Sequence, residues 1–224
     1  MLDRLANFTE DRAGTIYVVT GWQRSFTSAM MKALIAGGMD AVYDESRNQW
    51  AEQSAVDPSY HPNPDGLFEM DDEKRNQFFA MPNVFNGKLV KILDNHGRFD
   101  LPMWNGKYRV VVMLREPSEI RESYRRFFGH EPQFTDGVRT VTLTDPLYEQ
   151  LMRRTIRACA NRRDITYTVI KGSDLMAYPR NEFGRLYARA WNFDVEKAAV
   201  QIDPARYRIR CGLEPAMPAV LAAQ

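Results

Sequence analysis

Short runs of apolar and β-branched residues recur along the chain and predict the strands of a sheet. They lie at positions 16–20, 88–93, 108–114 and 165–170, and a shorter candidate lies at 41–43. The first run, I-Y-V-V-T, shows no alternation with polar residues, which is typical of a strand buried on both faces. Such strands belong to parallel sheets that helices cover on both sides.

Helical patterns follow most of these strands. The first runs past Met30 and Met31, which we expect in the core, and stops at Gly37-Gly38. Another begins at Pro117 and ends near Gly129, since proline suits the first helical turn. The later helical ranges are 145–162, 182–191 and 194–201, whereas the polar segment 44–82 is expected to be irregular.

This alternation of strands and helices predicts an α/β fold, a three-layer domain whose central parallel sheet is flanked by helices. Neither a linker nor a repeat is visible, so we expect residues 1–224 to form a single domain. In such folds ligands bind at the carboxyl ends of the strands. The loops that follow the predicted strands are therefore the places to look for a site.

The net charge and composition of the chain limit the binding partners that we expect. Thirty basic and twenty-nine acidic residues leave a net charge of +1, so no global field attracts nucleic acid or an anionic membrane, and we expect neither as a partner. Cys159 and Cys211 show neither a metal-binding nor a redox spacing, which fits a reducing compartment. No apolar stretch approaches the ~18 residues of a membrane helix. We expect a cytoplasmic protein with no metal centre.

The loop after the first strand carries the most distinctive chemistry. G-W-Q-R-S-F-T-S stands between a buried strand and a helix, so its last amides lie at the positive end of that helix, where anions bind. An ATPase P-loop would have glycine at Phe26 and lysine at Thr27. The hydroxyls could also simply cap the helix. The candidate anion ligands are Gly21, Trp22, Gln23, Arg24, Ser25, Phe26, Thr27 and Ser28.

A second motif, R-E-P-S-E-I-R-E-S, begins where the third long strand ends. It places Arg115 at the sheet edge and Ser123 two turns into the following helix. Arginine suits a bidentate grip on phosphate, although an arginine at a strand end is more often a salt-bridge or surface residue.

Together these two motifs resemble those of the sulfotransferases, in particular a bacterial branch whose loop reads close to G-L-P-R-S-G-T-S. The resemblance implies a P-loop-like fold and 3′-phosphoadenosine 5′-phosphosulfate (PAPS) as co-substrate. It implies that the loop, with Arg24, holds the 5′-phosphosulfate, that Arg115 and Ser123 hold the 3′-phosphate, and that Lys91 faces the sulfuryl group. Gln23 and Phe26 depart from the family's Pro and Gly.

Sulfuryl transfer also needs a base for the acceptor's proton. The small-molecule sulfotransferases have a histidine where this chain has Leu93, so the base must lie elsewhere. Glu69, in D-G-L-F-E-M, is our first candidate, and His96 and Asp94 are the others.

The resemblance implies transfer of a sulfuryl group from PAPS to a hydroxyl or amine of a small-molecule or glycan acceptor, without metal. Two alternatives stay open. One is an ATP-dependent small-molecule kinase, against which the missing loop lysine and glycine argue. The other is a catalytically degenerate nucleotide-binding or interaction module, which Phe26 suggests. The acceptor's identity and the oligomeric state are not encoded in any pattern that we recognise.

Overall fold

A computed structural model describes residues 14–46, 66–94, 99–135 and 139–206. The strands are β1 (Thr15–Gly21), β2 (Leu89–Leu93), β3 (Lys107–Leu114), β4 (Gln133–Thr135), β5 (Thr140–Thr142) and β6 (Ile165–Lys171). The α-helices are α1 (Thr27–Ala36), α2 (Asp72–Ala80), α3 (Pro117–Phe128), α4 (Asp145–Ala160), α5 (Gly172–Ala177), α6 (Pro179–Tyr187) and α7 (Val195–Ala199), and Pro82–Phe85 and Pro204–Arg206 form 3-10 turns.

The centre of the fold is a parallel sheet of four strands in the order β2-β1-β3-β6. Every residue of β1 is buried, as its unbroken apolar run predicted. In register, Val19 of β1 lies between Lys91 of β2 and Val111 of β3. The predicted α/β fold with a central parallel sheet is confirmed.

Each face of the sheet carries its own apolar core beneath a layer of helices. Tyr17 and Val19 of β1 point to the face that α1, α6 and α7 cover, where Met30 and Met31 are completely buried as predicted. Ile16 and Val18 belong to the opposite core, which also includes residues of α2 and α4. The result is three layers, with the carboxyl ends of the strands along one edge.

Two local predictions are wrong. Positions 41–43 do not form a strand, because Ala41 makes only a single parallel bridge to Leu89. Part of the segment predicted to be irregular is helix α2, which begins after Asp71, whose carboxylate accepts a hydrogen bond of 2.6 Å from the amide of Lys74. Helix α2 is polar and buries only Phe78, so it shows no apolar stripe. Positions 47–65 lie outside the described residues.

The helices after β3 and β5 are confirmed, although α4 ends two residues before the expected Arg162. The stretches predicted at 182–191 and 194–201 correspond to α6 and α7, but α6 begins earlier, at Pro179, and ends at Tyr187. Helix α5 and the β4-β5 hairpin were not predicted. No helix within the described ranges has both the length and the apolar character needed to cross a bilayer.

Candidate functional site

The loop between β1 and α1 leaves the sheet at a position that only glycine suits. Gly21 has a φ of +147°, and a Cβ there would lie 2.6 Å from the carbonyl oxygen of Met113 on the neighbouring strand. Because real Cβ atoms do not approach so closely, a side chain at Gly21 would push β1 away from β3. The loop therefore starts from a fixed point on the sheet edge.

Two residues of this loop adopt the left-handed conformation although neither is glycine. Arg24 has a φ of 69° and Phe26 a φ of 66°. Phe26 precedes α1, whose first turn contains no acidic residue and receives no side-chain cap from Phe26. The amides of that turn point out of the helix at its positive end, which favours an anion. The left-handed φ of Phe26 is one that glycine adopts without steric cost.

Arg24 connects the loop to the second motif. Its Nε donates a hydrogen bond of 3.0 Å to Oγ of Ser123, which is completely buried in α3. Its guanidinium carbon also lies 5.3 Å from the centre of the Phe127 ring. The structure thus brings together two motifs that lie far apart in the chain.

Arg115 is buried in the same cluster, with its side chain 7% exposed. Its Nη1 donates to the carbonyl oxygen of Arg24 at 2.8 Å, and its Nε donates to Oε2 of Glu119 at 3.0 Å. Its backbone amide donates to the hydroxyl of Tyr148 at 3.2 Å, and burial raises the pKa of Tyr148 to about 12. Neither Glu119 nor Tyr148 was predicted as a partner of Arg115, although Glu119 stands four residues after it, at the spacing of an ion pair on a helix.

The ring of Phe26 contacts both Arg115 and Gly172, the first residue of α5. The guanidinium carbon of Arg115 is 4.4 Å from the ring centre, within the range of a cation–π contact. The ring also packs against Gly172, where a Cβ would lie only 2.1 Å from Cδ2 of Phe26. Gly172 therefore makes room for the aromatic ring of this loop residue.

Lys91 is the third cation of the cluster, and its side chain is 2% exposed. Its Nζ lies 3.1 Å from Oγ of Ser28, 2.5 Å from the carbonyl oxygen of Leu67 and 3.2 Å from Oε1 of Glu69. Burial lowers the pKa of Lys91, whereas the carboxylate of Glu69 acts in the opposite direction. The nearby charge of Arg24 also lowers it. Two predicted site residues, Lys91 and Ser28, are thus in contact.

The three candidate bases are in different situations. Glu69 is 23% exposed and paired with Lys91. Asp94 is 3% exposed and accepts a hydrogen bond from the buried hydroxyl of Thr155, so it holds α4 against the end of β2. His96 lies outside the described residues. Of the two described candidates, Glu69 has the carboxylate that solvent and an acceptor can reach.

Other predicted ligands have structural contacts. Trp22 is buried in a third apolar cluster and lies against Phe134, with 6.4 Å between ring centres. The hydroxyl of Ser25 donates to the carbonyl oxygen of Trp22 at 2.5 Å and so closes the loop on itself. Thr27 is also buried, and Gln23 is half-buried. Their contribution to anion binding stays a prediction.

A cavity of about 430 Å³ opens beside Arg115, at the carboxyl ends of β3 and β6. Its size lies within the range of roughly 300–1,000 Å³ that is usual for small-molecule sites. Apolar side chains from β3 and α4 and charged ones from several elements line it, among them Leu114, Arg115, Met152, Ile156 and Lys171.

Comparison with models of known protein families finds no family that matches this chain, and no curated protein matches it significantly.

Proposed function

We propose that the protein is a PAPS-dependent sulfotransferase that acts on a hydroxyl or amine of a small-molecule or glycan acceptor. The observation that carries the proposal is the contact between the two predicted phosphate motifs. Arg24 bonds to Ser123, 99 residues away, and Arg115 bonds to Arg24, 91 residues away. Strands β1 and β3 are neighbours in the sheet, so the loops that follow them meet at its carboxyl edge, and there the two arginines are joined by these hydrogen bonds.

The chemistry of the cluster fits the two anionic ends of PAPS. Three cations, Arg24, Lys91 and Arg115, stand around the start of α1, and their buried or half-buried carboxylate partners are Glu69 and Glu119. The cavity beside Arg115 combines apolar side chains with the cations Arg153 and Lys171, and its size is usual for a small-molecule site. Helix amides and arginine forks both bind phosphate groups.

PAPS supplies an activated sulfate, whose bond between sulfur and the 5′-phosphate oxygen breaks as the acceptor's oxygen or nitrogen bonds to sulfur. In this proposal Arg24 offsets the negative charge that develops on that leaving oxygen. Glu69 takes the acceptor's proton, and Lys91 holds Glu69 in place while adding positive charge next to Ser28. Arg115 and Ser123 bind the 3′-phosphate and fix the donor's position.

The proposal is tested by measuring the binding of radiolabelled PAPS to a double variant, Arg115→Ala with Ser123→Ala. We expect affinity to fall about a hundredfold or more, since each hydrogen bond to a charged group contributes roughly 1.5–3 kcal/mol. The control is Arg126→Ala on α3, the helix that carries Ser123, because Arg126 pairs with Glu122 at an exposed position. Unchanged PAPS affinity in the double variant would overturn the proposal.

Two other experimental results would each favour a different function. Tight binding of ATP that requires magnesium would favour a kinase. Binding of adenosine 3′,5′-bisphosphate without turnover on any acceptor would favour a degenerate binding module, for which the ring of Phe26 in the loop is the structural reason.

A further inference from the structure

The guanidinium group of Arg115 is restrained from three directions. Glu119 accepts a hydrogen bond from Nε, the carbonyl oxygen of Arg24 accepts one from Nη1, and the ring of Phe26 covers one face. These restraints come from helix α3 and from both left-handed residues of the loop.

Stability alone does not explain the pair of Arg115 and Glu119. Their side chains are 7% and 2% exposed, so both charges have lost most of their water. The attraction between buried charges often only offsets the cost of removing them from water, and apolar residues of similar volume do as well or better. A buried ion pair does, however, hold its members in a fixed relative orientation.

We infer that Glu119 and Phe26 are positioning residues, which fix the plane of the Arg115 guanidinium so that it discriminates for a ligand with a phosphate at the 3′ position. This inference rests on the proposed function. Glu119 engages Nε and Phe26 covers a face, so a phosphate would meet the Nη edge, where Nη1 has two N–H groups and uses one for the carbonyl oxygen of Arg24. A planar fork binds phosphate with two parallel hydrogen bonds only when its plane is correctly set.

The backbone of Phe26 supports this role. Its left-handed φ of 66° is unfavourable for an aromatic residue, and such strain persists in folded proteins mainly where function requires it. The ring occupies space that a side chain at position 172 would fill, so only the glycine there allows the ring to contact Arg115. A strained loop residue and the glycine that begins α5 thus serve the same contact.

The test compares the affinities of two ligands, adenosine 3′,5′-bisphosphate and adenosine 5′-monophosphate, which differ only in the 3′-phosphate. Titration calorimetry gives the affinity ratio for the wild type, for Glu119→Gln and for Glu119→Asp. We expect Glu119→Gln to lower the ratio about tenfold or more, because the charged partner of Nε is lost while the side-chain size is kept. Glu119→Asp, which keeps the carboxylate, retains more of the ratio than Glu119→Gln.

The matched control is Glu122→Gln, since Glu122 lies on the same helix and pairs with the exposed Arg125 and Arg126 instead. It leaves the ratio unchanged. Phe26→Leu is the second test variant, because leucine keeps an apolar side chain but lacks the aromatic face. We expect it to lower the ratio about threefold or more, in line with a cation–π contact that is partly shielded from water.

An unchanged ratio in Glu119→Gln, with only a lower melting temperature, assigns Glu119 a structural role and overturns the inference. A higher ratio overturns it as well, because Glu119 would then act only as an anion that competes with the ligand. If Glu119→Gln does not fold, the ratio measured for Phe26→Leu decides. A wild type that shows no preference for the bisphosphate contradicts the proposed function itself, and is distinguished from the other outcomes by the wild-type data alone.

Discussion

Nε of Arg24 donates a hydrogen bond of 3.0 Å to Oγ of Ser123, and this single contact joins the loop after β1 to the helix after β3. Both partners were predicted to bind phosphate, but on separate motifs. Because the two motifs are in contact, a donor with phosphates at both its 3′ and 5′ positions could engage them at once. The phosphate site predicted at the loop and the one predicted at Arg115 and Ser123 are therefore expected to act together.

The first prediction concerns this contact. Replacing Ser123 with Ala removes the acceptor for Nε of Arg24, and we expect the affinity for adenosine 3′,5′-bisphosphate to fall about tenfold. Titration calorimetry measures the effect. Ser118→Ala, in the first turn of the same helix, makes the same chemical change away from Arg24 and serves as the control. Equal affinities for wild type and Ser123→Ala would separate Ser123 from the binding site.

The second prediction concerns the packing of Phe26 on Gly172. An alanine at position 172 would favour the helix that begins there, but its Cβ would lie 2.1 Å from the Phe26 ring. We expect Gly172→Ala to lower the free energy of unfolding by about 1–3 kcal/mol, the usual cost of overpacking. Denaturant unfolding gives this value.

A double-mutant cycle isolates the contact. In a Phe26→Ala background the ring is absent, so Gly172→Ala should cost at least about 1 kcal/mol less than in the wild type. Equal costs in the two backgrounds would mean that the ring does not lie against Gly172.

The third prediction concerns the pH dependence of stability. Burial lowers the pKa of Lys91 below its ordinary value of 10.5. Between the lowered pKa of the folded state and 10.5, the unfolded chain binds more protons than the folded one. The free energy of unfolding therefore rises with pH in this window. The contribution of Lys91 to the free energy of unfolding is fully present above pH 10.5 and is lost as the pH falls through the folded-state pKa of Lys91.

Lys91→Met removes this contribution. We therefore expect the free energy of unfolding of the wild type, relative to Lys91→Met, to increase as the pH rises toward 10.5. The exposed Lys88→Met controls for the loss of one positive charge. A difference between wild type and Lys91→Met that stays constant over this range would show that the pKa of Lys91 is not lowered.

The fourth prediction concerns Asp94, which we expect to stabilise the fold rather than to take part in binding or proton transfer. Thr155→Val keeps the shape of the side chain but removes the hydroxyl that donates to the buried carboxylate of Asp94. We expect a loss of about 1–3 kcal/mol in the free energy of unfolding and unchanged affinity for the bisphosphate. Thr142→Val, at an exposed position, should be nearly neutral. A large loss of affinity in a stable Thr155→Val protein would place Asp94 in the site.

Apolar runs were sufficient to predict the sheet, because burial on both faces leaves a mark on consecutive residues of β1, β2 and β3. Helix α2 escaped prediction because it buries only Phe78, and its start is marked by a single capping residue, Asp71. The candidate strand at 41–43 was reduced to one bridge, since an apolar tripeptide does not specify its own pairing.

Within the candidate site, sequence spacing indicated Arg24, Arg115 and Ser123 but not their contacts with one another. Contacts between residues about 90 positions apart depend on how the strands are ordered in the sheet, which local patterns do not encode. The partners of Arg115 illustrate this limit. Neither Glu119, four residues after Arg115, nor Tyr148 of α4 was predicted to lie at the site.

The most direct test of the account is a calorimetric titration of the wild-type protein with adenosine 3′,5′-bisphosphate in the absence of metal, with ATP as the comparison. We predict a dissociation constant of about micromolar for the bisphosphate, corresponding to roughly −8 kcal/mol, and much weaker binding of ATP. No binding of the bisphosphate, or tighter binding of ATP, would contradict the account, because the two arginine motifs would then not form a site for a nucleotide with phosphates at both ends.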